Sequence, residues 1–542
     1  MQEERVPYML DRTDRWNRRG FLSGGTAAII GCSLEFSGAG LAAVAGRKFY
    51  VSGDGDDSSS GTAPKQAWKS LDRVNRETFQ PGDAILLRSG DVWQGRLVLQ
   101  GSGVKGRPIV LGRFGSGPLP VIDMGAAPGA AILLENRSWW QILEMEVTSG
   151  APADPKAGRQ GIVALVTGEG TSSNIVIRGC FVHDVWGTLG GGGPLDMYNS
   201  SAIFVGRRQT DRHRTGSVEN VLIEGNRIER VDRCGIIVWR GGKGVVIRQN
   251  RMENLGGDGI FPEGCDGVLV ERNVVSRSCL RTGDPDLVLA EKRYNPHSAA
   301  IWLQNCTGGI MQYNEVYDTG RCKGNGDGEA YDFDFGCHDC ILQYNYSRNN
   351  YGLLLIMQRT SGNIARYNIS ENDQTHVLAL RSNLDDGNLI HNNVFYVDHG
   401  TAEIEMMDNP QLKDKTKAGV PLRNNIFYAT GQGRFRVLYL EPTLPDPNPG
   451  DNRLFLDNCY FGPWLGAGPN DSSLSGKTYD PLFVAPGRGG TGLESLKGYQ
   501  LRAGSPCLGR GAAIARNGGR DFWGHPLPAG ALDVGAFQHP AS

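Results

Sequence analysis

Short stretches of this chain alternate apolar and polar residues with the period of a β-strand. Gly235-Ile-Ile-Val-Trp239, Gly259-Ile-Phe-Pro-Glu263, Ala300-Ile-Trp-Leu-Gln304, Ala330-Tyr-Asp-Phe-Asp334 and Gly352-Leu-Leu-Leu-Ile356 align with one another. Successive side chains of a strand point to opposite faces. Alternation therefore turns Ile236, Val238, Ile260, Ile301, Leu303, Tyr331 and Phe333 inward. It turns Ile237, Trp239, Phe261, Glu263, Trp302, Gln304, Asp332 and Asp334 outward, toward solvent.

Each of these stretches is followed by a second pattern, an apolar strand that ends in asparagine. Examples are Val-Leu-Ile-Glu-Gly-Asn226, Val-Ile-Arg-Gln-Asn250 and Ile-Leu-Gln-Tyr-Asn345, and the series includes Asn273, Asn314, Asn368, Asn393, Asn425 and Asn458. The steps between these asparagines are 24, 23, 41, 31, 23, 25, 32 and 33 residues. The short steps suit one coil of three short strands, and the long ones carry insertions. Self-similarity at this period reads as a solenoid. Asparagine tolerates the left-handed backbone of a tight turn, and its amide can bond to the asparagine of the next coil. The consensus of a leucine-rich repeat is missing.

The ends of the chain add to this picture. The opening reads Phe49-Tyr-Val-Ser-Gly-Asp-Gly-Asp-Asp-Ser-Ser-Ser-Gly-Thr62, then Trp68-Lys-Ser-Leu71 and Pro81-Gly-Asp83-Ala-Ile-Leu-Leu87. The tail reads Asp480-Pro-Leu-Phe-Val484, Gly498-Tyr-Gln-Leu-Arg502 and Gly518-Gly-Arg-Asp-Phe-Trp-Gly524. Together with the asparagine repeat, these segments resemble bacterial right-handed parallel β-helix proteins of the pectate-lyase-like superfamily. The resemblance implies an all-β, right-handed parallel β-helix with a cap at each end. The expected divisions are a signal segment over 1–45, an N-terminal cap and first coils over 46–127, the β-helix over 128–460, and a C-terminal cap over 461–542. The superfamily holds lyases, hydrolases, epimerases and adhesins, so the resemblance specifies fold more than reaction.

Composition refines this reading. The 77 glycines suit many tight turns, and the net charge of −2 argues against nucleic acid as a partner. No internal run is long and apolar enough to span a membrane. A monomer is expected. Asn17-Arg-Arg-Gly-Phe-Leu22 carries the paired arginines of a twin-arginine export signal, followed by a small-residue apolar run. Ala43-Val44-Ala45 fits a cleavage site, while Ile29-Ile30-Gly31-Cys32 resembles a lipoprotein box that would leave Cys32 lipidated. A periplasmic or extracellular location follows, with or without a lipid anchor. Cys265, Cys306 and Cys337 each lie eight residues before a ladder asparagine, so they read as thiols stacked on successive coils.

The candidate chemistry lies on the outward face, which mixes aromatic rings with acids as a sugar-binding groove does. Asp332 and Asp334 stand two apart on one strand, with Asp327 and Glu329 just upstream and Glu263 two coils away. Their Cα atoms are about 6.6–6.8 Å apart, near the lower limit of the roughly 6.5–9.5 Å between carboxyls in inverting glycosidases. Clustered carboxylates raise one another's pKa, which would leave one protonated as an acid. Trp239, Phe261, Trp302, Gln304 and Glu329 are the expected sugar contacts on the strands. The insertions at 183–200, 279–297 and 319–327 precede strands of the same sheet and are expected to wall the groove. The second supplies Lys292, Arg293, Tyr294 and His297. Asp258 reads as a turn residue, and His376 and Arg381 lie further along the same face.

Three functions fit these residues. A glycoside hydrolase would use the paired carboxylates and no cofactor. A polysaccharide lyase acting on a uronate polymer would use Lys292, Arg293 or His297 as base and bind Ca²⁺ through the acids. A non-catalytic β-helix would only bind polysaccharide or oligosaccharide. The outward strand positions hold acids and aromatics but no Lys or Arg in the central coils, which favours the hydrolase.

Overall fold

The structure is a computed structural model that describes residues 46–150, 158–187, 200–207, 215–280, 298–321, 327–406, 419–439, 454–466, 468–469, 471 and 479–539. The export signal, the two processing points and most of the three insertions lie outside the described residues.

The strands form three long parallel sheets, with 14, 13 and 13 described strands. After the opening pair Lys48–Val51 and Ala84–Arg88, each sheet takes every third described strand in chain order, so the chain winds as a parallel β-helix with three faces per coil. The first sheet runs from Lys48–Val51 to Phe455–Leu456, the second from Leu97–Leu99 to Trp464–Leu465, and the third from Val92–Gln94 to Cys459–Phe461. The inward residues of all three merge into one apolar core. Ile236, Val238, Ile260, Ile301, Leu303, Tyr331 and Phe333 all belong to it and are fully buried, as alternation requires.

The asparagine ladder sits at the turn between the first and third sheets. Asn226 donates its backbone N–H and its Nδ2 to Oδ1 of Asn250, and the same pair of bonds repeats at every step down to Asn458. At the foot of the ladder, Asp471 Oδ2 accepts from the Asn458 backbone. One detail differs from expectation. The left-handed residue is the one before each ladder asparagine, as at Gln249, Arg272, Tyr313 and Tyr344, with φ between 54° and 57°. That residue makes the bend, which frees the asparagine to point its amide into the helix and satisfy buried backbone groups.

The N-terminal segment covers the first coils with the helix Leu71–Asn75, whose Ser70 hydroxyl accepts from the Arg73 backbone. Its Trp68, Val74 and Phe79 join the core. The C-terminal segment does more than meet the last coils. It runs back along the helix, where Tyr499 donates to Glu371 and the Gly492 backbone donates to Glu315. It thereby covers a second apolar cluster that includes Tyr317, Tyr344, Tyr346 and Tyr367. The outward face of the second sheet carries the candidate site.

Candidate active site

Parallel pairing sets the outward face of the second sheet in columns. Along one column Trp302 lies beside Asp332, Asp332 beside Leu355, Leu355 beside Ala379, and Ala379 beside Glu405. The facing inward column is Ile301, Tyr331, Leu354, Leu378 and Ile404, all fully buried. Asp332 and Asp334 are therefore on the outer side of the strand, as the alternation predicts.

They are not open to solvent, however. Asp332 is 5% exposed and Asp334 9%. The physical reason is the company they keep. Asp332 is a short side chain between the larger Trp302 and Leu355 on neighbouring coils, and coils are only about 4.8 Å apart. Asp334 accepts a 2.6 Å hydrogen bond from Gln304 Nε2, which draws that side chain over it. Burial, followed by the charges of Asp334, Glu329 and Asp327, pushes the Asp332 pKa well above the carboxylate range, against a smaller opposing effect of Arg381. Among the described residues its Oδ1 has no hydrogen-bond partner. Asp327, half-buried at the entrance to the strand, is the most open carboxyl of the group.

The other expected site residues fare differently. Glu263 is 1% exposed and does not join the aspartates as a free carboxylate. It accepts from the Arg240 backbone and from Asn305 Nδ2, both at 3.1 Å, and pairs with the Arg240 guanidinium at 3.6 Å. Those donors at the strand end engage both of its oxygens. Trp239, Phe261 and Trp302 do not present free ring faces either. Phe261 and Trp302 stack at 3.6 Å and 4°, and Trp239 meets Phe261 edge-on at 5.7 Å. Phe261 and Trp302 hold equivalent positions on adjacent coils near stacking distance, and Trp239 lies diagonally from Phe261, so the rings pack on one another before any sugar can. Gln304 is half-buried and bonded to Asp334. Lys292, Arg293, Tyr294 and His297 lie outside the described residues.

Asp258 is no simple turn residue. It is fully buried, with Ser298 Oγ at 2.8 Å and Trp302 Nε1 at 3.1 Å on one oxygen. The other oxygen accepts from Cys234 Sγ at 3.0 Å and meets the buried Arg233 guanidinium at 3.3 Å. It thus anchors the tryptophan that stands beside Asp332.

Sequence reasoning missed the partner of His376. The imidazole bonds to Glu329 at 3.2 Å through Nδ1 and to Glu405 at 2.7 Å through Nε2. Burial opposes its charge, but the two carboxylates outweigh it and raise its pKa to about 9. The signal for Glu405 was present in Glu403-Ile-Glu405, the same acid-x-acid alternation as Asp332-Phe-Asp334. Just past Asp334, a cavity of about 440 Å³ is lined by Asn305, Phe335, Gly336, His338, Arg359 and Asp386. The described cysteines are buried free thiols, with Cys265, Cys306 and Cys337 at successive corners.

With this geometry in hand, the chain can be set beside known proteins. A family model described as "Right handed beta helix region" matches residues 130–283. A lacto-N-biosidase from Bifidobacterium longum subsp. longum is 27% identical over 621 aligned residues, covering 95% of this chain and 38% of that protein. The chain thus spans well under half the length of that curated relative. Two crystal structures of a GH136 lacto-N-biosidase from Eubacterium ramulus, native and selenomethionine derivative, each match with a TM-score of 0.58 at 27% identity. They cover 72% of this chain and 68% of the other. By family model, by solved structure and by its own three sheets, the chain is an all-β, right-handed parallel β-helix.

Proposed function

We propose that the chain is a glycoside hydrolase that cleaves an oligosaccharide or polysaccharide on the outward face of its second sheet. The observation that carries this reading is the carboxyl cluster of Asp327, Asp332 and Asp334, in which burial and then its acidic neighbours push the Asp332 pKa up beside a second aspartate. Hydrolysis of a glycosidic bond needs one carboxylic acid for the leaving oxygen and one carboxylate to act as base or nucleophile. Asp334, oriented by Gln304, takes the carboxylate role. Asp332 holds the proton that goes to the leaving oxygen, and Asp327 is the more open carboxyl at the entrance to the strand. The names of the relatives support the same class and suggest a substrate that carries a lacto-N-biose unit. The paired Arg18 and Arg19 support export of the folded enzyme to the periplasm or beyond.

Product analysis on an oligosaccharide panel tests the proposal. New reducing ends without the ultraviolet absorbance of an unsaturated sugar are expected. Unsaturated products would establish a lyase instead, and binding without turnover would leave a carbohydrate-binding β-helix. For export, replacing Arg18 and Arg19 with Lys is expected to retain the protein in the cytoplasm.

A further inference from the structure

Glu329, Gly352 and His376 occupy the same position on three successive coils of the second sheet. They stand at the corner where the strand begins. Ala330 and Tyr331 both lie in the main core, which carries Glu329 to the outer side. Glu329 and His376 are two coils apart, roughly 9.6 Å at the usual strand spacing, yet their side chains meet at 3.2 Å. Gly352 makes this possible. A Cβ there would stand 2.1 Å from the His376 carbonyl oxygen and 3.1 Å from Glu329 Cγ. No other residue type leaves that window open.

We propose that His376 is a positioning residue of the site: reaching through the gap at Gly352, its imidazole ties Glu329 to Glu405 and fixes the negative edge of the aspartate cluster. This rests on the hydrolase reading above and names how its acid cluster is set. Glu329 is 1% exposed and Glu405 6%, so neither carboxylate is held by water. A buried carboxylate keeps its charge only with a partner. The imidazolium serves both, on Glu329 together with the Gly328 backbone N–H, which donates to Oε2 at 3.0 Å. The other groups facing it are the Tyr351 ring, 4.9 Å away with the Arg321 guanidinium over it, and Glu403, which pairs with Arg436 at 3.5 Å.

The arrangement decides which carboxyl holds the proton of the cluster. A charged His376 favours the ionised form of Glu329, whose negative charge helps keep the proton on Asp332. Burial and then the charge of Asp327 lift the Glu329 pKa above its ordinary value, and the bond from His376 limits that rise. Without His376, Glu329 takes up a proton itself. Asp332 then loses a nearby negative charge and releases its own proton at lower pH. His376 never touches the sugar in this account. It acts through Glu329 on Asp332.

The test is the pH profile of His376→Gln against the wild type, with the 4-nitrophenyl glycoside of lacto-N-biose as substrate and labelled-histidine NMR of both full-length proteins. The alkaline limb of kcat/KM is expected to move toward acid by about one pH unit, with kcat reduced about tenfold and KM little changed. In the NMR arm, the wild-type His376 imidazole is expected to stay protonated to near pH 9, and to titrate lower in Glu405→Gln. Superimposable pH profiles would overturn the proposal. So would a wild-type His376 that titrates at an ordinary imidazole value, and this arm reads the clamp even if the glycoside is not a substrate. Failure of both proteins to cleave any glycoside, with His376 still charged to near pH 9, would count against the hydrolase reading and leave the clamp standing.

Discussion

An asparagine column and a cluster of acids line this helix, and they behave in opposite ways. The asparagine column between the first and third sheets is neutral and self-complementary. Each amide donates to the next, and all nine asparagines are at most 1% exposed. The cluster on the outer face of the second sheet gathers like charges along one strand and its entrance. Asp332 is left with an oxygen that has no partner among the described residues, and Glu329 and Glu405 are held by one histidine. A stack of amides every 4.8 Å or so satisfies buried backbone, whereas acids crowded along one buried strand, as Glu329, Asp332 and Asp334 are, cannot all stay ionised. The first column is what a solenoid needs for stability. The second is an arrangement that stability alone would discard, which is why it is the site we propose.

The contrast is broken most sharply by removing one charge from the acid cluster. Asp334→Asn is expected to lower kcat by about 10²–10⁴-fold. Asp332→Asn should lose activity similarly while melting at the same temperature or higher. Asp332 has a raised folded pKa, so its burial costs stability once pH exceeds its unfolded value of 3.8, and the amide removes that cost. A clear fall in melting temperature would show Asp332 to be a structural group.

Asp258→Asn sharpens the boundary between the two regimes. Both oxygens of Asp258 accept from donors, so an amide sets donor against donor beside buried Arg233. A loss of about 3–5 kcal/mol is expected in chemical denaturation. Asn345→Ala does the corresponding damage to the ladder. It strips acceptors and donors from the neighbouring coils, with an expected cost of about 3 kcal/mol and little change in activity per folded molecule. Equal activity losses in Asn345→Ala and Asp334→Asn would erase the distinction between the column and the cluster.

Two histidines extend the comparison to pH. His391 neighbours the ladder, where burial lowers its pKa to about 3 against a bond to neutral Asn392. Its neutral form contributes stability above pH 6.5 or so, and this is lost as pH falls toward 3. His376 has its pKa raised, so its contribution is complete below about 6.5 and is lost as pH rises through about 9. That loss is at most about 3 kcal/mol. Melting temperatures across this range should show the alkaline decline flattened in His376→Gln and the acid decline unchanged.

The fold was legible because its signals are local and repeated. Nine apolar strands ending in asparagine and a strict alternation in Tyr331–Asp334 state which residues face the core. The site was only half legible. Alternation tells which side of a strand Asp332 occupies, but not that Trp302 and Leu355 from other coils enclose it. Nor does it give the bonds that engage Glu263, or the stacking of Phe261 on Trp302. His376 and Glu405 are 47 and 76 residues from Glu329 along the chain. Only the coil register, and the missing side chain at Gly352, brings the three together.

The central claim is that the acid cluster breaks glycosidic bonds by hydrolysis. The most direct measurement is mass analysis of oligosaccharide products formed in ¹⁸O-labelled water by the wild type and by Asp334→Asn. The account predicts that the wild type incorporates one labelled oxygen at each new reducing end and that the variant forms almost no product. Products lacking the label, or a variant as active as the wild type, would contradict it.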